Sequence, residues 1–160
     1  MDKAVFLDRD GIINIERKDY VKSVEEFVLI DGIFDVIRSI KEKGYLVIII
    51  TNQSAINRKI INENDLQKIH DFLFKQAERQ NVKIDGVYFC PHTPDENCKC
   101  RKPRPGMILK AAQEFQIDLK KSMMIGDSDK DIEAAQQAGC RGILVRDPDS
   151  LRNIIEKYLE

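Results

Sequence analysis

The sequence predicts an α/β fold in which helices cover both faces of a parallel β-sheet. Three observations lead to this fold class. Short apolar runs typical of buried strands recur along the chain, as in Leu46–Ile50 and Met123–Ile125. Segments with helical periodicity separate these runs, as expected when parallel strands are joined by crossover helices. The runs are apolar throughout, which indicates a doubly wound (Rossmann-like) sheet rather than a sheet with one solvated face.

Length and composition are those of one ordinary globular domain spanning residues 1–160. Of the 160 residues, 42% are hydrophobic and 33% are charged, and the net charge is −1. The near-neutral charge gives no reason to expect a nucleic acid or an anionic membrane as partner. The N-terminus shows no signal-peptide pattern and no apolar run approaches a membrane span, so we expect a cytoplasmic protein. No strong apolar stripe is left unassigned, which favours a monomer.

The first half of the chain predicts two strands, two helices and one long connection. Ala4–Leu7 and Leu46–Ile50 are the predicted strands. Residues 32–43 keep a helical period that ends at Gly44, and a second helix begins after Asn62, a good N-terminal cap. Residues 12–30 are too long for a plain loop, so we expect a flap or small hairpin beside the site.

The second half of the chain repeats the alternation. The predicted strands are Val87–Phe89, Met123–Ile125 and Ile143–Val145. The predicted helices run from Pro105 to Phe115, from about 130 to 138, and from Leu151 to Tyr158. Proline suits the first position of a helix, and the middle helix is followed by a glycine, which commonly ends helices.

Two aspartates directly follow the first strand. Asp8 and Asp10 lie two residues apart, so their side chains emerge on the same side of the strand end. Carboxylates this close repel each other unless a cation lies between them or one takes a proton. Mg²⁺ suits such a pair because it binds hard oxygen ligands together with substrate phosphate. The alternative for this pair alone is a solvated turn, since short motifs give many false positives.

Polar residues follow other predicted strands as well. Thr51 and Asn52 follow the second strand, and Asp127 follows the fourth. In a doubly wound sheet the carboxyl ends of the strands share one crevice, where ligands bind. Asp127 is therefore a candidate metal ligand, although it could instead cap the next helix. Asp129 and Asp131 are rivals for either task.

These residues suit the hydrolysis of a phosphate ester. Asp8 can attack phosphorus to form an aspartyl-phosphate, and Asp10 can protonate the departing oxygen. The charge that builds on the phosphoryl oxygens needs fixed donors, which the Thr51 hydroxyl and the Lys102 ammonium offer. The alternative for Thr51 is a strand-end hydroxyl bonded to the backbone.

Four segments resemble, in order, the four motifs of the haloacid dehalogenase superfamily of phosphatases. They are Asp8–Gly11, Thr51–Ser54, Arg101–Pro103 and Gly126–Asp131. The resemblance implies Asp8 as nucleophile and Asp10 as acid/base, with Asp10 also binding Mg²⁺ through its carbonyl. It implies that Thr51 and Lys102 stabilise the phosphate, and that Asp8 and Asp127 are Mg²⁺ ligands.

Three cysteines and a histidine lie within eleven residues, at Cys90, His92, Cys98 and Cys100. One imidazole and three thiolates form a full tetrahedral set for Zn²⁺, with no open position for water. The pattern predicts a structural zinc that stabilises a loop, whereas the alternative is reduced thiols beside a surface histidine. Cys140 follows a glycine and is expected to be a small core residue.

The cysteine-rich insert narrows the resemblance to D-glycero-D-manno-heptose-1,7-bisphosphate 7-phosphatases and the related histidinol-phosphate phosphatases. Asp19–Val21 and Gly106–Met107 look more like the heptose enzymes. The resemblance implies a small phosphorylated metabolite, a sugar bisphosphate, as substrate. No stretch of the chain is long enough for a separate cap domain, so none is expected. The residues implied to contact it are Asn52, Gln53, Ser54 and Arg101.

Two other functions are weighed against this one. Histidinol phosphate carries a positive charge, which Glu16 or Asp19 could receive, whereas Arg101 suits a second phosphate better. A zinc module that binds a partner without catalysis is disfavoured, because few basic or aromatic residues surround the cysteines.

Overall fold

The computed structural model describes residues 1–160 and confirms the α/β prediction. The strands are β1 (Ala4–Leu7), β2 (Leu46–Asn52), β3 (Gly86–Cys90), β4 (Met123–Gly126) and β5 (Arg141–Leu144). The helices are α1 (Ile33–Glu42), α2 (Glu63–Arg79), α3 (Gly106–Phe115), α4 (Asp129–Ala138) and α5 (Leu151–Tyr158). Each predicted element is present, and the differences lie at the ends. β5 begins two residues earlier than its apolar run because Arg141 pairs through its backbone with Met123.

The five strands are parallel and their order is β3-β2-β1-β4-β5. β1 lies at the centre, with Phe6 opposite Ile48 of β2 and Met124 of β4. The chain winds outward from β1 in both directions, so the direction of winding reverses there. A ligand crevice is expected outside the carboxyl end of β1.

The apolar core is divided between the two faces of the sheet. Val5 and Leu7 of β1 belong to a cluster of 25 buried residues, while Ala4 and Phe6 belong to a cluster of 13. All four side chains are fully buried. The sheet is therefore covered on both faces, which explains why its strands show no polar alternation.

Local signals fix where the helices begin and end. The Asn62 side chain accepts a hydrogen bond from the backbone N–H of Asp65, and the Asp65 carboxylate accepts one from the N–H of Asn62. This reciprocal capping box starts α2 where the sequence predicts it. α4 ends at Gly139, which has a φ of +90°. None of the helices is long and apolar enough to cross a membrane.

The segment from residue 12 to residue 30 folds as a flap whose base is a short antiparallel pairing. Asn14 bridges Leu29, the Ile15 N–H donates to the Val28 carbonyl, and the tip contains a 3₁₀ turn at Val24–Glu26. Ile13 is fully buried at the base. The flap is therefore attached to the core and ends beside the carboxyl edge of β1.

Candidate active site

A polar cavity of about 530 Å³ lies at the carboxyl end of β1. No hydrophobic side chain lines it. Its walls are formed by Asp8, Asp10, Glu16, Asn52, Lys102, Asp127, Ser128, Asp129, Lys130 and Asp131. The structure therefore brings together residues from β1, β2, the cysteine-rich loop and the β4–α4 connection, as predicted from the strand ends. Glu16 reaches this cavity from the flap.

Asp8 and Lys102 form an ion pair at the floor of the cavity. Lys102 Nζ lies 2.8 Å from Asp8 Oδ1 and also donates to the carbonyl oxygen of Ile50 at 2.9 Å. The Lys102 side chain is only 4% exposed. Burial would lower the pKa of Lys102, but the neighbouring carboxylates outweigh it and hold the pKa above its usual value. The ammonium therefore stays charged beside the nucleophile candidate.

Three carboxylates meet around this ion pair. Oxygens of Asp8, Asp127 and Asp131 lie within 4.8 Å of one another. Burial raises the pKa of Asp8, and the pKa of Asp127 is raised for the same reason. Lys102 opposes the rise at Asp8, but one ammonium cannot neutralise three acids. The group has the electrostatic character of a cation site.

Asp131 differs from the other two acids because its oxygens are already used. Oδ1 lies 2.6 Å from Lys102 Nζ, and Oδ2 accepts hydrogen bonds at 3.2 Å from the backbone N–H and the hydroxyl of Ser128. Asp131 is 1% exposed. Its observed contacts hold Lys102 and begin α4. Asp8 uses only Oδ1 in its contacts with Lys102 and the Arg9 N–H, and Asp127 forms no ion pair, so these two acids are the better candidates for metal ligands.

The residues present fit Mg²⁺. All donors are hard carboxylate oxygens, and Mg²⁺ is usually held by one or two carboxylates together with substrate phosphate. Gly11 shapes the site, because it has a φ of +90° and any side chain there would overlap the Asp127 carboxylate. The close approach of that carboxylate to β1 therefore requires glycine at position 11.

Asp10 lies outside the group of three acids and is held by its own set of donors. Oδ1 accepts hydrogen bonds from Arg9 Nη2 and Asn14 Nδ2, each at 2.9 Å. Oδ2 accepts one from Gln53 Nε2 at 3.0 Å. Burial would raise the pKa of Asp10, but the Arg9 charge and these hydrogen bonds outweigh it and place the pKa below its usual value.

The residues at the end of β2 and directly after it differ in whether they reach the cavity. Asn52 lines the cavity and holds Lys102 through its backbone, accepting from the N–H at 3.0 Å and donating to the carbonyl at 3.2 Å. Thr51 is fully buried, and its hydroxyl accepts a hydrogen bond from Gln53 at 2.9 Å. Gln53 and Ser54 are also buried and do not line the cavity. Their contact with substrate stays a prediction.

The cysteine-rich loop gathers its four candidate ligands into one cluster. Cys90 Sγ lies 2.8 Å from Cys100 Sγ and 3.6 Å from Cys98 Sγ, and all the cysteines are free. His92 Nδ1 lies 3.2 Å from Cys100 Sγ. A tetrahedral zinc centre with Zn–S bonds of about 2.3 Å places neighbouring sulfurs about 3.8 Å apart. The Cys90–Cys98 separation matches this spacing, whereas Cys90 and Cys100 lie closer together, so the cluster has the composition of a zinc site with its sulfurs drawn closer than in a metal-bound centre.

The loop thiols differ in pKa, since burial raises the pKa of Cys90 and of Cys100. Burial would raise the pKa of Cys98, but hydrogen bonds led by the backbone N–H of Arg101 lower it to about 7. A thiol with that pKa forms the thiolate that metals bind. Cys140 lies apart, 8% exposed in the smaller core cluster, and burial raises its pKa to about 12. It therefore has the surroundings of a core residue.

Arg101 lies between the cysteine cluster and the cavity. Its Nη1 donates to the carbonyl of His92 at 3.2 Å. Together with Arg104 and Lys130 it lines a second cavity of about 270 Å³, which shares Lys102 and Lys130 with the first. No carboxylate lines this second cavity. It is therefore a cationic extension of the first cavity.

Comparison with known proteins places the chain in a family. Residues 99–157 match the HAD-hydrolase-like family model. The chain is 48% identical to the D-glycero-α-D-manno-heptose-1,7-bisphosphate 7-phosphatase of Campylobacter jejuni, over 85% of this chain and 77% of that protein. It is 43% identical to the β-anomer 7-phosphatase of Helicobacter pylori, over 94% and 87% of the two chains.

A solved structure agrees with these sequence relationships. The D,D-heptose 1,7-bisphosphate phosphatase from B. bronchiseptica, complexed with magnesium and phosphate, superposes with a TM-score of 0.87 and 34% identity. The match covers 99% of this chain and 88% of that one. The resemblance inferred from the four motifs is confirmed. The chain belongs to the D-glycero-D-manno-heptose-1,7-bisphosphate 7-phosphatase family of the haloacid dehalogenase superfamily of phosphatases.

Proposed function

We propose that this chain removes the 7-phosphate of a D-glycero-D-manno-heptose 1,7-bisphosphate. The relatives named for this reaction include proteins 48% and 43% identical to it. The observation that carries the proposal is the pairing of Asp8 with the buried Lys102, beside Asp127, at the end of the central strand. That arrangement supplies a carboxylate nucleophile and fixed positive charge at one point.

The reaction would proceed in two balanced steps. Asp8 attacks phosphorus as the bond to the sugar oxygen breaks, and Asp10 gives that oxygen its proton. The pKa of Asp10 is low in the free enzyme, so Asp10 has to take up this proton when the anionic phosphate arrives, since a neighbouring negative charge favours the protonated form. Water then attacks the aspartyl-phosphate and loses a proton to Asp10, which releases inorganic phosphate and restores both side chains. Lys102 donates to the phosphoryl oxygens. Thr51 stays a predicted second donor, since its hydroxyl is buried and does not line the cavity. Mg²⁺, held by Asp8, Asp127 and the Asp10 carbonyl, would supply charge neutralisation at the phosphoryl group.

Replacement of the nucleophile tests this mechanism. We expect Asp8→Asn to abolish phosphate release, because the amide is a poor nucleophile, while the fold is retained. The matched control is Asp149→Asn, since Asp149 is exposed in the 3₁₀ turn that precedes α5 and only its backbone N–H makes a hydrogen bond. Release of phosphate by Asp8→Asn at the wild-type rate would contradict the assignment.

The cationic second cavity favours a bisphosphate over histidinol phosphate. Arg101, Arg104 and Lys130 surround space next to the first cavity, where a second phosphate would be attracted and an ammonium group repelled. We expect kcat/KM to be higher for the heptose bisphosphate than for histidinol phosphate on one enzyme preparation. Both anomers are assayed separately, since relatives are named for each. Faster turnover of histidinol phosphate would refute the substrate assignment.

A structural zinc is part of the proposal. Cys90, His92, Cys98 and Cys100 would hold it, and the site has no open position for catalysis. We expect Cys98→Ser to lower the zinc content and the thermal stability together, because binding energy at such a site is folding energy. Cys140→Ser is the control for zinc content, which should be unchanged because Cys140 lies outside the cluster, although its burial in the core means that stability can fall there without any loss of metal. Wild-type protein purified without chelators and lacking zinc would contradict this part.

We also propose that the enzyme acts as a monomer, because the cavity is complete within one chain. Light scattering at assay concentrations tests this, and a stable dimer would refute it.

A further inference from the structure

The guanidinium of Arg9 is buried next to the catalytic cavity, yet the reaction described above gives it no part. Its side chain is 1% exposed and does not line the cavity. It packs over the ring of Phe27 from the flap, 5.5 Å from the ring centroid. A buried charge is costly unless it is paired, and Arg9 has one anionic partner, Asp10. The ion pair with Asp10 is therefore what makes burial of the Arg9 charge tolerable.

His70 holds the guanidinium from α2. Its Nε2 lies 3.2 Å from Arg9 Nη1, and His70 is only 3% exposed. Because a guanidinium can only donate, Nε2 must accept, so the imidazole carries its proton on Nδ1. One amino group of Arg9 is thus fixed by His70, while the other donates to Asp10 at 2.9 Å.

The hydrogen bonds on Asp10 distinguish its two oxygens. A carboxylate oxygen can accept about two hydrogen bonds. Oδ1 already accepts two, from Arg9 and Asn14, whereas Oδ2 accepts one, from Gln53. Oδ2 therefore keeps a lone pair that can carry a proton to a substrate oxygen. Arg9 and Asn14 together occupy Oδ1, and the contact with Arg9 restricts the orientation of the carboxylate.

We propose that Arg9, fixed by His70, is a positioning residue that orients Asp10 so that Oδ2 delivers the proton to the leaving sugar oxygen. This inference rests on the proposed function, in which Asp10 is the general acid. The proton moves from Oδ2 to the ester oxygen as the bond from that oxygen to phosphorus breaks, and the sugar leaves as a neutral alcohol. Arg9 neither gains nor loses a proton.

Two variants of His70 test the role of Arg9 without removing a catalytic group. His70→Leu removes the acceptor that holds Arg9, whereas His70→Gln keeps an acceptor oxygen on a flexible side chain. The measured quantity is kcat/KM, which reports steps up to departure of the leaving group. It is compared for the heptose bisphosphate, whose alkoxide needs a proton, and for p-nitrophenyl phosphate, whose phenolate leaves without one.

We expect His70→Leu to lower kcat/KM for the heptose ester by about tenfold, which is part of the effect that general acids supply. The value for p-nitrophenyl phosphate should stay at the wild-type level, and His70→Gln should restore most of the loss. An equal loss with both substrates would indicate a merely structural role and overturn the proposal. An unchanged value for the heptose ester would overturn it as well. If His70→Leu does not fold, Arg9→Lys is measured in the same way.

A double mutant shows whether the effect acts through Asp10. In an Asp10→Asn background the acid is already lost, so His70→Leu should cause no further decrease. A full additional decrease would refute action through Asp10. Failure of the substrate assignment would be seen separately, as wild-type enzyme that does not hydrolyse the heptose ester. The comparison would then use the alkyl phosphate that the wild-type enzyme hydrolyses fastest, with the same criteria.

Discussion

The stability of the fold should depend on pH through His70. Burial, followed by the charge of Arg9, lowers the pKa of His70 to about 3 in the folded chain. In the unfolded chain the pKa returns to about 6.5, so the unfolded state binds the extra proton first. The folded pKa is depressed, and stability is therefore fully present above about pH 6.5 and is lost as the pH falls.

The size of this loss follows from the two pKa values. At about pH 5, protonation of the unfolded imidazole lowers the free energy of unfolding by about 2 kcal/mol, and at about pH 7.5 the effect is close to zero. His70→Gln removes the titration and keeps a polar acceptor for Arg9. When the pH is lowered from about 7.5 to about 5, the free energy of unfolding of the wild type should therefore fall by about 2 kcal/mol relative to that of His70→Gln.

Urea unfolding at the two pH values measures this difference. The chain has two histidines, and His92 is common to both proteins, so its contribution cancels in the comparison. Asp8 titrates in the opposite sense, because its raised pKa favours the folded state in acid, and it cancels in the same way. A difference that does not change between the two pH values would refute the assignment of a neutral, buried imidazole at position 70.

Three further predictions concern the site, the zinc loop and the core. Lys102→Met should lower kcat by roughly 100-fold, because the fixed positive charge at the phosphoryl group is lost. With a chelator present, it should also lower the free energy of unfolding by about 3 kcal/mol, because the buried carboxylates of Asp8 and Asp131 lose their partner. Urea unfolding that does not change would contradict this. Gly106→Ala should reduce zinc content, measured by elemental analysis, because a methyl group there overlaps the Lys99 carbonyl; full zinc occupancy would refute it. Ile48→Val should cost about 1 kcal/mol in urea unfolding, and an altered kcat would contradict a purely packing role.

The sequence predicted the sheet because each strand has a strong local signal. Ala4–Leu7 is apolar on both faces and was assigned to its observed limits. β2 continues two residues past its apolar run, to Asn52, because Thr51 and Asn52 still pair with Phe89 and Cys90. Backbone pairing with a neighbour is a tertiary property, so the sequence placed the middle of each strand better than its ends.

The gathering of site residues was also predictable in part. Parallel strands end at one edge of the sheet, which brings Asp8, Asn52 and Asp127 to the same cavity. The ion pair between Asp131 and Lys102 was not predictable from these rules. Ser128 and Asp131 have the spacing of a capping box, and that local signal accounts for the acid without any role beside Lys102. The contact of Asp131 with Lys102 becomes evident only when α4 packs against β4 in the folded chain.

The contact between Arg9 and His70 was missed because it joins residues 61 positions apart. Arg9 lies between two catalytic candidates, where a charged side chain is expected to face solvent or substrate. His70 lies on the buried face of α2, and helical periodicity assigns such a position to packing. The sequence does not show that Arg9 and His70 are both buried, so their contact can be recognised only once the fold is known.

The location of Asp8, the proposed nucleophile, directly after the central strand has a consequence for where the enzyme can move. The amide of Asp8 donates to the Ile125 carbonyl at 3.0 Å, at the end of a strand whose side chains are fully excluded from solvent. Hydrogen exchange at such amides requires rupture of the whole domain, whereas peripheral connections open at much lower cost. Substrate capture and product escape should therefore be accommodated by the flap and the cysteine loop, while the carboxylate proposed to carry the phosphoryl group stays anchored throughout turnover.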